Sequence, residues 1–60
     1  MFEYSTAAKN IQVTTMEGND AETLDALTND WLITNKEVQV YKITFNNAEQ
    51  PTVMIVHEPI

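Results

Sequence analysis

A chain of sixty residues supports one domain, and a domain of that size buries only about 60% of the surface its unfolded form exposes. The absence of cysteine and the presence of a single histidine exclude disulfides, thiolate metal sites and histidine clusters as extra staples. Nine acids stand against three lysines and no arginine, a formal charge of −6, which argues against nucleic acid and anionic membranes as partners because both need a basic patch.

Ordering a chain costs roughly 1.5 kcal/mol per residue, and apolar burial in so small a domain about balances it. Association with another chain is therefore the expected stabiliser. The start "MFEYSTAAKN" has an early acid and no apolar core of a leader. No apolar run approaches the roughly 20 residues of a spanning helix. A cytoplasmic protein is the expectation.

In chain order, residues 1–8 fit either a short edge strand, with Phe2 and Tyr4 alternating with Glu3 and Ser5, or an arm that docks an aromatic ring. Residues 10–16, "NIQVTTM", read as a strand with Ile11, Val13 and Thr15 on one face and Gln12, Thr14 and Met16 on the other. "EGND" breaks it, and Gly18 is expected to supply a turn position with positive φ.

The next stretch predicts a helix. Asn19 is the expected N-cap, with Glu22 at capping-box spacing and Asp20 and Glu22 set against the positive helix end. Leu24, Leu27 and Trp31 recur at steps of three and four, so they form the buried stripe, extended by Ala21 and Thr28. Thr34, Asn35 and Lys36 mark the exit, with Lys36 placed to meet the negative C-terminal end. The opposite side carries Glu22 and Asp25, with Asp20 and Asp30 at its margins.

Residues 38–45, "VQVYKITF", are rich in β-branched and aromatic side chains and predict a second strand. Its alternation is imperfect: Tyr41, Ile43 and Phe45 share one face, while Val38 and Val40 fall on the other. "NNAEQP" is a hairpin loop. Residues 52–57, "TVMIVH", form a third strand, with Val53, Ile55 and His57 on one face and Met54 and Val56 on the other.

The order strand, helix, strand, strand gives an α+β fold of βαββ type. The helical crossover makes the first two strands point the same way, and the last two form an antiparallel hairpin. "VMIV" is the most continuously apolar run, which suits a central strand. The sheet order is therefore 2-3-1, with one helix on one face. Leu24, Leu27 and Trp31 are expected to meet Ile43, Phe45 and alternate residues of the other strands. Met16, Val38 and Val40, with either Met54 and Val56 or Val53 and Ile55, are left pointing away. Monomers seldom expose such patches, so a homodimer or higher oligomer is expected, with Val38, Val40, Met54 and Val56 as the interaction candidates. Phe2 and Tyr4, folded across that face, would be the alternative cover.

The residues from the first strand onward resemble a family of very short sporulation-associated proteins from Bacillus-type bacteria. The matching positions are Leu24, Leu27, Trp31 and Leu32 on the helix, Ile43 and Phe45 in the second strand, and "VMIVHE" at residues 53–58. The likeness covers residues 10–58, and the N-terminal extension departs from it. It implies the same fold, a bacterial or phage origin and cytoplasmic residence. It implies no activity and no site residues.

No constellation for chemistry emerges. Glu22 and Asp25 are neighbours on a solvated helix face without a pocket to shift them. His57 has no evident nucleophile partner, since Ser5 is the only serine and no Gly-x-Ser-x-Gly elbow occurs. "EGNDAE" lacks EF-hand spacing, and one glycine does not make a phosphate cradle. The expectation is a non-enzymatic protein-interaction module without cofactor or metal, which associates with itself and with a host protein. The alternative is an acidic phage-type inhibitor that mimics nucleic acid through Glu22, Asp25 and Asp30.

Overall fold

A computed structural model describes residues 7–47 and 49–60. The expected N-terminal edge strand or arm falls mainly on residues 1–6, outside the described residues. After a 3-10 turn at Ala8–Asn10 come strand β1 (Gln12–Glu17), helix α1 (Ala21–Thr34), strand β2 (Val40–Asn46) and strand β3 (Thr52–His57). The sheet order is β1-β3-β2 and both pairings are antiparallel. The βαββ order and the central position of the apolar third strand are as the sequence predicts. β1 and β2 point the same way, but β3 separates them.

The register explains the imperfect alternation of the second strand. Val40 pairs with His57 and Lys42 with Val56, so Tyr41 is an extra residue in a β-bulge. The bulge shifts the side-chain phase by one. Val40 and Ile43, three apart, both point to the helix side and pack on the core. Strict alternation had sent Val40 to the other face, and that expectation is corrected. Met16 is corrected likewise, because it pairs with Val53 and packs on the core.

The core consists of Leu24, Val53 and Ile55, with Met16, Trp31, Val40 and Ile43 packed around it. The helix backbone lies close to β1 and β3 and farther from β2. Of the predicted stripe, Leu24 is buried and Trp31 half-buried, while Leu27 stays 40% exposed. Thr28 takes the place beside Leu24 instead, and its hydroxyl donates to the Leu24 carbonyl at 2.8 Å. A polar residue is thereby buried without an orphaned group.

The helix ends also differ from expectation. Asp20, not Asn19, is the N-cap, and its carboxylate accepts from the Thr23 backbone N–H at 2.7 Å. At the other end, the Asn35 backbone and side-chain amides both donate to the Trp31 carbonyl at 2.9 Å. Lys36 lies beyond that cap, in the following turn. Gly18 has no positive φ. Its need is closeness: a Cβ there would stand 2.7 Å from the Leu24 backbone nitrogen. Glycine lets the strand exit pass under the first turn of the helix.

Candidate protein-interaction site

Cross-strand partners share a face, so the register sorts every strand residue. The helix side carries Gln12, Thr14 and Met16, then Val53, Ile55 and His57, then Val40, Ile43 and Phe45. The opposite side carries Val13, Thr15 and Glu17, then Thr52, Met54 and Val56, then Lys42, Thr44 and Asn46. No element of the described residues lies on this second side. Val13 is 51% and Met54 40% exposed, with Val56 half-buried between Val13 and Lys42. The Tyr41 hydroxyl donates to the Asn10 carbonyl at 3.3 Å. That ring therefore bridges from β2 to the segment before β1.

Of the four predicted interaction residues, Met54 and Val56 lie on this open face. Val40 lies on the covered side. Val38 is half-buried before β2, its N–H bonded to the Asn35 carbonyl at 2.9 Å. Val13 is a member of the face that sequence reasoning did not single out. Its signal was available: it alternates with Gln12, Thr14 and Met16, and assigning those three to the core would have placed it outside.

Charge on the open face is balanced. Lys42 and Glu17 are the only charged side chains that the register places there, against a chain total of −6. The excess acids lie elsewhere. Glu22, Asp25 and Asp30 are all exposed on the helix, which carries no lysine in its last turn. Asp20 has its carboxyl held below the ordinary range, first by the Thr23 backbone N–H and then by the Thr23 side chain.

A second apolar feature sits on the helix side. The helix backbone lies nearer β1 and β3 than β2, and Phe45 is 58% exposed although its strand partner Val53 is fully buried. Phe45 borders a notch of about 120 Å³ with Ala21, Leu24, Asp25, Asn46, Asn47 and Pro51. The notch could take one apolar side chain.

The single histidine lies inside the fold. His57 is fully buried and its ring lies 4.9 Å from that of Trp31. Nδ1 contacts the Glu58 carbonyl oxygen, which only accepts, so Nδ1 carries the proton. In the neutral ring Nε2 then accepts from the Thr14 hydroxyl at 2.7 Å. Both nitrogens are engaged, and neither reaches solvent. Among the described residues no group of three or more His, Asp or Glu side chains could hold a metal ion, and no helix is long and apolar enough to cross a membrane. Comparison with protein families, with curated proteins and with solved structures finds no match.

Proposed function

We propose that this chain is a non-enzymatic protein-interaction module that associates with itself through its open sheet face. The observation that supports this is the strip of Val13, Met54 and Val56, which no other described element covers, set among paired strand residues whose only charges, Lys42 and Glu17, cancel. Leaving such a patch in water is costly for a monomer. A second copy can cover it without bringing like charges together. The engaged, inaccessible His57 supports a reading without acid–base chemistry.

Light scattering over a wide concentration range tests the reading. The wild-type chain is expected to exceed the mass of one copy, 6.8 kDa. Met54→Asp is expected to lower that mass while far-UV circular dichroism is unchanged. A wild-type chain that stays monomeric at every concentration refutes self-association. A Met54→Asp chain that stays fully associated refutes the face.

A second reading follows from the helix. Glu22, Asp25 and Asp30 are exposed with no base among them, as suits an acidic inhibitor of a basic protein. Salt separates the two. Screening weakens attraction to a basic partner but relieves repulsion between two copies at −6 each.

A further inference from the structure

The two free edges of the sheet differ. The β2 edge is broken by the bulge at Tyr41 and carries Lys42, two of the devices by which proteins blunt an exposed edge. The β1 edge has neither. Its six residues pair with β3 in unbroken register, contain no proline or lysine, and among the described residues leave one row of backbone groups without a neighbouring strand.

The helix overhangs that edge with an apolar side chain. At 100° per residue, Ala21 and Asp25 lie on one flank of Leu24 and Leu27 on the other. Ala21 and Asp25 face the notch beside Phe45, toward β2. Leu27 therefore lies on the β1 flank, where the described residues cover it only in part and leave it 40% exposed. The sequence pattern places Leu27 in a buried stripe, and a single chain leaves that stripe half finished.

We propose that a second copy of this chain adds its β1 antiparallel to β1, so that the three strands become six and the two Leu27 side chains meet above the seam. Two copies repel overall at −6 each, but the charges at the ends of β1 suit a second copy in this direction. Lys9 lies just before β1 and Glu17 at its end. Antiparallel pairing sets the Glu17 end of one strand beside the Lys9 end of the other, whereas parallel pairing sets like ends together. A two-fold axis normal to the sheet makes the contact self-complementary. The edge contact goes beyond the face contact and does not rest on it.

The test uses the full chain, with Leu27→Asp, Leu27→Lys and Met54→Asp compared by light scattering. Backbone amide exchange along β1 is the second readout. The edge contact predicts that both Leu27 variants fall below the wild-type mass and that outward β1 amides, slow in the wild type, exchange at least tenfold faster in them. Loss in both signs of charge separates packing from repulsion. If both Leu27 variants keep the wild-type mass and β1 protection, the edge contact is overturned, whatever Met54→Asp does. If Met54→Asp alone keeps the wild-type mass, the edge stands and the face reading falls.

Discussion

Gly18→Ala tests how closely the strand exit and the helix are joined. The added Cβ would lie 2.7 Å from the Leu24 nitrogen and 2.9 Å from its Cα and Cβ. Ordinary contact begins about 0.7 Å farther out for a carbon of this kind. Neither side can yield easily. The Leu24 N–H bonds the Asp20 carbonyl at 3.0 Å, and the Gly18 N–H bonds the Pro51 carbonyl at 3.0 Å. Such overpacking costs about 1–3 kcal/mol, and the stiffer unfolded chain returns about 0.4–1 kcal/mol. The net loss is therefore about 1–2 kcal/mol. For a domain of this size that lowers the Tm by roughly 5–15 °C. Thermal melts followed by circular dichroism, with exposed Asn19→Ala as the neighbouring control, read the effect. A Gly18→Ala chain as stable as the wild type would refute the close approach as the reason for glycine.

Thr14→Val removes the hydroxyl that meets buried His57 Nε2; leaving that nitrogen unpaired should cost about 1–3 kcal/mol in urea unfolding, and a neutral result would mean water reaches the ring. Leu24→Ala should cost about 2–5 kcal/mol, as for other buried leucines, at every protein concentration. Leu27→Ala should show a loss that depends on concentration, because its cover comes from a second copy; equal, concentration-independent losses would place Leu27 in the monomer core. Asp20 loses its proton more readily in the folded chain than at its ordinary value of 3.8. Its contribution is thus complete above that value and is lost as pH falls through the lower folded one. Asp20→Asn keeps a capping oxygen and should flatten this acid limb of the stability–pH curve, while an unchanged limb would move the effect to other carboxylates.

The element order was legible because each signal was local and strong. The run "VMIV" has no polar residue, as a strand flanked on both sides requires, and that alone places the third strand in the centre. What was not legible depends on relations between elements. The bulge at Tyr41 is a one-residue slip between β2 and β3, seen in sequence only as a valine out of phase. Leu27 fits the helical period as well as Leu24 does, but the helix lies off-centre on the sheet, and periodicity carries no information about lateral placement. The cap is Asp20 and not Asn19, a choice that residue type leaves open because either side chain can accept from the N–H two or three residues on. The candidate face was half legible: Met54 and Val56 were found, Val13 was missed, and Val40 went to the wrong side with the bulge.

The bulge in β2 bears on how far any assembly can grow. In polymer terms, a unit with two reactive ends makes chains, and a unit with one makes pairs. Tyr41 and Lys42 cap one end of this sheet, which leaves β1 as its single functional group for strand addition. When two copies join through β1, each brings its capped β2 to the outside, and no site is left for a third strand partner. The same slip of one residue that turns Val40 inward makes strand addition self-terminating, so that an exposed edge in a small acidic domain ends in a six-stranded sheet and not in an endless one.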